Sequence, residues 1–259
     1  MSHDWDAACY HAVSEPQFAW GLRVLERLPL VGHETVLDAG CGTGRLTGRL
    51  LDRLPGGRVI AADRSASMVA RARLHLADYG ARVEVIQADL STLSLAAPVD
   101  AIFSTATFHW IHDHAGLFAR LHAALRPGGR LEAQCGGGAN LARVRARARE
   151  RAAEARFAPF FRDWVDPWEY AGATTTAGRL EAAGFRDVKT WLEEAPTRFD
   201  GPAEHRAFLA GVVIRPYLAA LPEEEGAAFV DGLVEQAGHD DPPWTLDYWR
   251  LNMSASRLP

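Results

Sequence analysis

Apolar positions recur along the chain with two alternating spacings. Short, nearly continuous apolar runs predict buried strands, and segments with apolar residues three or four positions apart predict helices. Five such runs follow one another with helical segments between them: ETVLDAG, RVIAAD, RVEVIQAD, VDAIFSTA and GRLEAQCGG. This alternation is typical of an α/β fold, in which a parallel sheet carries helices on both faces.

Helical spacing is also present on either side of these five runs. One helix is predicted over residues 15–28, and beyond the fifth run we expect helices over 140–155 and 175–183, then a strand over 188–193. An aromatic-rich loop, FAPFFRDWVDPWEYAG, lies between the last two helices. Its aromatic side chains either line a pocket for an apolar substrate or pack as an ordinary loop: Phe157, Phe160, Phe161, Trp164, Trp168 and Tyr170.

The C-terminal part predicts a helical insertion. Residues 202–238 have the pattern of two helices broken near 221–222, and TLDYWRLNMSASR is the candidate for the last strand. We therefore expect a single domain, which suits a chain of 259 residues. It divides into an N-terminal lid segment (1–33), a core of sheet and helices (34–196), a helical cap (197–243) and a final strand (244–259).

Composition limits the classes of partner. A net charge of −5 without a long basic run argues against nucleic acid or a membrane surface. No apolar run approaches the ~18 residues of a membrane span, and the N-terminus lacks the pattern of a signal peptide. Three cysteines without paired spacing favour a reducing compartment and argue against a metal cage. We expect a cytoplasmic protein that acts on a small molecule; the oligomeric state stays open.

The stretch VLDAGCGTGRLTGRLL, residues 36–51, has four glycines where a strand meets a helix. Glycine costs conformational entropy on folding, so the pattern indicates that another group approaches the backbone of this turn more closely than a Cβ would allow. Doubly wound folds bind nucleotides at such turns. The dinucleotide fingerprint does not fit, because Arg45 or Thr47 stands where its third glycine is needed. The phosphate-loop pattern fails as well, since it requires a lysine.

Two carboxylates follow the next strands. Asp63 ends the second run, where an acidic side chain can accept hydrogen bonds from a ribose diol, although a helix N-cap or a turn would also explain it. Asp89 ends the third run. Because ligands of open α/β sheets bind at the carboxyl ends of the strands, we expect both carboxylates beside the glycine turn.

The segment Asp38–Gly44 has the form Asp-x-Gly-x-Gly-x-Gly, which resembles the first motif of class I S-adenosylmethionine-dependent methyltransferases. FSTATFHWIHDH and LHAALRPGGRL resemble the trans-aconitate methyltransferases and the malonyl-carrier-protein methyltransferases. The opening WDAACYHAVSEPQ resembles their N-terminal segment over the cofactor, and FLAGVVIRPYLAALPEEEGAAFVDGLVEQ resembles their helical insertion over the substrate. The resemblance implies a Rossmann-like seven-strand methyltransferase sheet with helices on both faces and a helical cap before the last strand.

The same resemblance implies a set of cofactor residues. Asp63 would bind the ribose, Met68 would pack on adenine, Asp89 would accept from the adenine amino group, and the Leu90 N–H would meet a ring nitrogen. The cofactor would be S-adenosylmethionine, released as S-adenosylhomocysteine. The full expected set is Asp38, Ala39, Gly40, Gly42, Asp63, Arg64, Met68, Asp89, Leu90 and Ser104.

The acceptor is less defined by the sequence. A carboxylate is already ionised at neutral pH and needs no base, so O-methylation of a carboxylate is the favoured reaction. A phenol or amine would need a base, for which His109 and Tyr10 are candidates. Trp110 and Arg215 are the candidate substrate residues, with Arg206 and Arg250 as further guanidinium groups that could clamp an acid.

Other interpretations remain open. C- or N-methylation of a natural product is one, and an S-adenosylmethionine-binding protein without catalysis, or an interaction module with a decayed site, is another. The absent third fingerprint glycine argues against hydride transfer. His109, His112 and His114 lack the further ligands of a zinc site. The alternating arginines Arg143, Arg145, Arg147 and Arg149 predict a solvated helix.

Overall fold

A seven-stranded sheet forms the centre of the protein. The structure is a computed structural model and describes residues 15–259. The sheet consists of β1 (Thr35–Ala39), β2 (Arg58–Asp63), β3 (Val83–Gln87), β4 (Val99–Thr105), β5 (Leu125–Gly136), β6 (Arg186–Glu194) and β9 (Trp249–Ser256). A separate two-stranded ribbon pairs β7 (Thr197–Arg198) with β8 (Thr245–Leu246).

The strand order is β3-β2-β1-β4-β5-β9-β6. Strands β1 to β5 pair in parallel, whereas β9 lies antiparallel between β5 and β6. The predicted α/β class with a seven-strand sheet is confirmed. The buried apolar runs have a simple cause: strands covered by helices on both faces bury side chains on both sides.

Helices cover both faces of the sheet. The first four are α1 (Glu15–Arg27), α2 (Arg45–Asp52), α3 (Ala66–His75) and α4 (His114–Ala124). Two more, α5 (Ala142–Ala152) and α6 (Ala173–Ala182), follow β5. One face packs Leu37, Ile102 and Phe118 in its core, and the other packs Val36, Leu50 and Phe103.

The cap contains more helical segments than predicted. Its parts are α7 (Pro202–Phe208), a π-helical turn (Leu209–Val213), α8 (Arg215–Leu218) and α9 (Glu223–Gly238). The expected break near 221–222 is present, but a second break at Ile214 makes the prediction of two helices wrong. Pro216 stands in the first turn of α8, where its missing N–H costs nothing. Our division of the chain into four segments stays a prediction.

The cap has a hydrophobic cluster of its own. Trp168, Phe208, Tyr217 and Phe229 are buried there, and Trp20 from α1 joins them. Phe157 and Phe161 also contact the Phe229 ring, at centroid distances of 5.2 and 5.9 Å. The aromatic loop that precedes α6 is therefore part of the cap core.

The prediction of a solvated arginine helix is wrong. Arg147 on α5 forms a bidentate pair with Asp240 at 3.0 and 2.6 Å, and Arg143 lies 3.4 Å from the same carboxylate. Arg145 and Arg149 both bind Asp166, at 2.9 and 2.6 Å. The arginines face two carboxylates that are far away in sequence, so α5 is tied to the loop before α6 and to the end of α9.

We predict that His205 makes the cap sensitive to acid. It is buried on α7, neither ring nitrogen has a hydrogen-bond partner among the described residues, and burial lowers its pKa to about 4. The unfolded chain, with a pKa near 6.5, then binds more protons between about pH 6.5 and 4. Protonation therefore costs up to about 3 kcal/mol of stability as the pH falls through that window.

Urea unfolding at pH 7 and pH 5 measures the effect. His205→Phe should lose less stability between the two pH values than the parent, because it removes the titrating group and the Phe199 ring already packs against the ring at that position. The exposed His112→Leu is the control and should keep the parent's dependence. An unchanged pH dependence in His205→Phe would show that the imidazole is solvated.

Candidate active site

A cleft opens at the carboxyl ends of the parallel strands, where open α/β sheets bind ligands. Its volume is about 1090 Å³ when the open mouth is included. At one end lie Gly40 and Gly42 after β1, Asp63 at the end of β2, Asp89 after β3 and Thr107 after β4. We call this part the strand end. The opposite part, which we call the cap end, is formed by α1, the short helical turn after β4, the residues just before α5, the aromatic loop, the cap and β9.

Asp63 organises the strand end. Its Oδ2 accepts a hydrogen bond from the Gly42 N–H at 2.9 Å, and its Oδ1 accepts from the Ser65 N–H at 2.9 Å. Ser65 in turn caps α3, because its hydroxyl accepts from the Met68 N–H at 3.2 Å. One carboxylate thus fixes the glycine turn relative to the start of α3.

The two glycines of the turn have different reasons to be glycine. At Gly40, a Cβ would meet Thr107 Oγ1 at 2.0 Å, so a side chain is excluded by the protein itself. At Gly42, with φ +53°, a Cβ would have nothing within 4 Å and would enter the cleft. Of these two glycines, Gly42 is therefore the one with open space left for a ligand.

Three of the expected cofactor residues do not line the cleft, namely Asp38, Ala39 and Ser104. Asp38 is buried, and its Oδ2 accepts from the Thr47 hydroxyl at 2.6 Å; burial raises its pKa to about 7. Ser104 is also buried and donates its hydroxyl to the Ala39 carbonyl at 2.6 Å. Their polar atoms are used inside the protein, behind the turn.

The other expected residues of the strand end do line the cleft. Met68 and Leu90 are buried there, beside Arg64 and Asp89. Hydrogen bonds from Ser91 hold the pKa of Asp89 below its usual range, and the charge of Arg64 acts in the same direction. The strand end therefore presents apolar surface from Met68 and Leu90 together with an ionised carboxylate.

His109 lies at the bottom of the cleft, in the short helical turn after β4. Its Nδ1 accepts a hydrogen bond from the Gly136 N–H at 3.3 Å. Burial, with the nearby charge of Arg250 as the next cause, holds the pKa of His109 well below its usual range. The imidazole is therefore neutral, and its proton is on Nε2, which makes that nitrogen a donor.

Arg250 on β9 supplies a buried positive charge to the cap end. It is 3% exposed, its Nε donates to Gln134 Oε1 at 3.4 Å, and its guanidinium carbon lies 4.7 Å from the centre of the Trp20 ring. Of the three guanidinium candidates, Arg250 alone lines the cleft. Arg206 pairs with Asp231 at 2.6 Å in an exposed part of the cap, and Arg215, at the start of α8, is not among the described lining residues.

Aromatic and aliphatic side chains form most of the cap end. Trp110 contacts Trp168 at a centroid distance of 5.7 Å, and Trp168 is stacked on Tyr170 at 6.2 Å and 11°. Burial raises the pKa of the Tyr170 hydroxyl, so Tyr170 is a neutral phenol. The other apolar members of this wall are Leu141, Val212 and Val213. The two alternatives for the aromatic loop both apply, because Trp168 and Tyr170 line the cleft while Phe157 is packed in the cap core.

Helix α1 adds a polar group that the sequence did not single out as a ligand. Gln17 lines the cleft, and its Oε1 is buried without a hydrogen-bond partner among the described residues. Tyr10, the second candidate base, lies outside the described residues.

Between residues 15 and 259 no cluster of three or more metal-ligating side chains occurs, and no helix there has the length and apolar character of a membrane span.

Comparisons with known proteins identify the family of the chain. The methyltransferase domain family matches residues 36–129. A trans-aconitate 2-methyltransferase from Azoarcus sp. strain BH72 is 33% identical over 236 residues, which is 87% of this chain and 86% of the relative. Another from Methylobacterium nodulans is 32% identical over 238 residues, covering 88% and 86% of the two chains.

Solved structures share the fold. Phosphoethanolamine N-methyltransferase 2 from Haemonchus contortus, bound to phosphomonomethylethanolamine and S-adenosylhomocysteine, aligns with a TM-score of 0.63 at 19% identity. The alignment covers 98% of this chain and 57% of that one. A methyltransferase-like protein from Bacillus halodurans aligns with a TM-score of 0.62 at 16% identity, over 93% of this chain and all of that one.

The fold and the cleft therefore define an S-adenosylmethionine-dependent methyltransferase. Within that class, the chain belongs to the trans-aconitate 2-methyltransferase family. The strand end suits the cofactor, because the Gly42 turn is open to a ligand and the carboxylates Asp63 and Asp89 face a cleft at the ends of adjacent strands. S-adenosylmethionine is the cofactor, and S-adenosylhomocysteine is the product derived from it.

We predict that a methyl group added at Gly42 obstructs the cofactor. Gly42→Ala should weaken S-adenosylmethionine binding by about tenfold or more, because its Cβ enters the space above the turn. Calorimetric titration measures the affinity. Gly128→Ala is the matched control, since Gly128 also has a positive φ (+77°) with nothing within 4 Å of a Cβ, but lies outside the cleft. Equal affinity in both variants would show that the cofactor does not approach Gly42.

Proposed function

We propose that this methyltransferase esterifies a small carboxylic acid at one carboxylate oxygen. The observation that carries the proposal is the pair of positive and hydrogen-bond-donating groups at the inner part of the cleft, Arg250 and neutral His109. The carboxylates among the described lining residues are Asp63 and Asp89, and both lie at the strand end. The acceptor therefore meets a donor and a cation, which suits an anion.

We assign the cofactor to the strand end. Asp63 would accept from the ribose hydroxyls, Asp89 and the Leu90 N–H would meet the adenine edge, and Met68 would pack on the ring. Gly40, Gly42 and Arg64 would border the rest of the cofactor. Asp38, Ala39 and Ser104 would support the turn from behind, because their polar atoms already bond within the protein.

The reaction demands little acid–base chemistry from the protein. When bound, the cofactor supplies an electrophilic methyl group on a sulfonium. A carboxylate acceptor is ionised near neutral pH, so no base has to remove a proton. His109 would donate its Nε2–H to one carboxylate oxygen while Arg250 orients the other, and alignment of the reactants provides the rate enhancement. A phenol or amine acceptor is not favoured, since Nδ1 of His109 is occupied and Nε2 carries the proton.

The cap and the N-terminal segment would close the site. We keep the division into a lid (1–33), core (34–196), cap (197–243) and final strand (244–259) as part of the proposal. Cap residues Val212 and Val213 already line the cleft, and closure would exclude water from the transfer. A cytoplasmic location also remains a proposal, supported by the two free, buried cysteines Cys41 and Cys135.

The chemical nature of the product tests the proposal. Incubated with S-adenosylmethionine and carboxylic acids, beginning with trans-aconitate as the acid named for the relatives, the protein should form methyl esters that alkali hydrolyses to methanol. Mass spectrometry before and after alkaline treatment identifies them. Phenol and amine analogues of the same acids serve as comparison acceptors. A methylated product that resists alkali would contradict esterification.

We further predict that the kcat/KM of methyl transfer does not depend on pH near neutrality. Because the pKa of His109 is held well below 6.5 and the acceptor carboxylate has a pKa near 4, kcat/KM should be flat from about pH 6 to 8. It should fall below about pH 5, as the acceptor becomes protonated. A general base of ordinary pKa would instead give activity that rises through about pH 6.5.

Substitutions at His109 separate a donor from a base. His109→Gln keeps an N–H donor and should retain kcat/KM within a few-fold, with the same flat profile. His109→Phe should lose about tenfold or more, because an anionic acceptor loses a hydrogen bond. Equal loss in both variants, together with a profile that rises through pH 6.5 in the parent, would contradict a donor role.

A further inference from the structure

The distribution of charged and apolar side chains in the cap end indicates which acceptors can bind there. Its walls contain mainly aromatic rings and aliphatic side chains, those of Trp110, Trp168, Tyr170, Leu141, Val212 and Val213. The uncharged polar side chains of Gln17, Asn140 and Tyr248 line it as well. Arg250 is the one cation among the described residues of this part, and the other lining arginine, Arg64, follows Asp63 at the strand end. The cap end therefore offers one charged side chain and a few uncharged polar groups within a mainly apolar surface.

The N-terminal residues that the structure does not describe add no arginine or lysine to the cleft. Residues 1–14, MSHDWDAACYHAVS, include two aspartates and two histidines but neither arginine nor lysine. A guanidinium or ammonium side chain that could bind a second carboxylate must therefore come from the described part of the chain. There, four arginines of α5 pair with Asp166 or Asp240, namely Arg143, Arg145, Arg147 and Arg149. Arg151 pairs with Glu154, and Arg206 pairs with Asp231.

We infer that the acceptor is a monocarboxylic acid with an apolar body. This inference rests on the proposed esterification and specifies its substrate class. The single carboxylate would lie at Arg250 and His109, and the body would lie along Trp110, Trp168 and the valines of the cap. Aromatic and aliphatic bodies share this chemistry, because both gain from removal of apolar surface from water.

The same geometry disfavours acids with several carboxylates. A tricarboxylate such as trans-aconitate would place two further anionic groups against indole rings and valine side chains. Burying a carboxylate without a cation is expensive, and the uncharged side chains of Gln17, Asn140 and Tyr248 supply no balancing charge, so this wall selects against such substrates. The chain therefore differs in selectivity from what the name of its relatives implies.

Competition between acids tests the inference in the intact enzyme. With S-adenosylmethionine present, cinnamate and octanoate represent aryl and alkyl monocarboxylates, trans-aconitate represents a tricarboxylate, and cinnamamide lacks the charge. We expect kcat/KM for at least one monocarboxylate to exceed that for trans-aconitate by tenfold or more. Calorimetric titration of each acid into the enzyme saturated with S-adenosylhomocysteine should give the same order of affinity, with cinnamamide weaker than cinnamate.

Arg250 is tested with a matched arginine. Arg250→Gln should lower kcat/KM for the preferred monocarboxylate by about 10- to 100-fold, as expected for a lost hydrogen bond to a charged group. Arg206→Gln removes an arginine that pairs with Asp231 away from the cleft and should have little effect. Affinity for S-adenosylhomocysteine shows whether each variant is folded. Equal losses in the two variants would remove Arg250 from the acceptor site.

A gained charge tests the apolar wall independently of Arg250. Val212→Lys places an ammonium group in the wall, and Val212→Met has a long side chain without charge. We expect Val212→Lys, and not Val212→Met, to raise the ratio of kcat/KM for trans-aconitate to that for the monocarboxylate by about tenfold or more. An identical ratio in both variants would show that this wall does not select by charge.

The outcomes separate the inference from the proposed function. Efficient esterification of trans-aconitate, with monocarboxylates tenfold poorer, would overturn the inference and leave carboxylate methylation intact. Transfer to phenols or amines with no ester formed from any acid would overturn both. Preference for cinnamate or octanoate that is lost in Arg250→Gln would support both and would identify the body of the acceptor as aryl or alkyl.

Discussion

The connection between the glycine turn and β2 is the constraint on which the cleft depends. Gly40 and Cys41 donate their N–H groups to the Ala62 carbonyl at 2.8 and 3.0 Å, and Gly42 donates to the Asp63 carboxylate. Held in this position, the turn has no room for a side chain at Gly40, because Thr107 fills the space. These bonds hold the strand ends together and leave the face above Gly42 open.

The strand end of the site could be predicted because its residues lie close to one another along the chain or at the ends of parallel strands. The glycines, Asp63 and Asp89 are local to the ends of strands, and parallel strands bring their carboxyl ends to one edge of the sheet. Residues behind the turn, such as Asp38 and Ser104, share the motif but not the surface. Asp38 and Ser104 lie behind the turn because they bond to Thr47 and Ala39, and the spacing of residues along the chain does not reveal these contacts.

The acceptor end could be predicted less well, because it is assembled from distant elements. Arg250 reaches the cleft through the antiparallel register of β9, which places it opposite Gly136 on β5 and Glu193 on β6. Its local signal is an arginine between Trp249 and Leu251 in an apolar strand, and this signal alone did not separate it from Arg206 and Arg215. The π-helical turn and the pairing of the α5 arginines likewise depend on tertiary packing.

Arg250 and His109 form the electrostatic link between the sheet and the cap. The guanidinium charge helps to keep the buried imidazole neutral, and the Gly136 N–H fixes the tautomer in which Nε2 is the donor. A site built from a permanent cation and a neutral donor can hold an anion but cannot readily remove a proton from an acceptor. The cofactor brings the reactive group, so selection of the acceptor is the main task left to this end of the cleft. Because the selecting wall belongs largely to the aromatic loop and the cap, its specificity can change while the glycine turn and the strand-end carboxylates continue to hold the same cofactor.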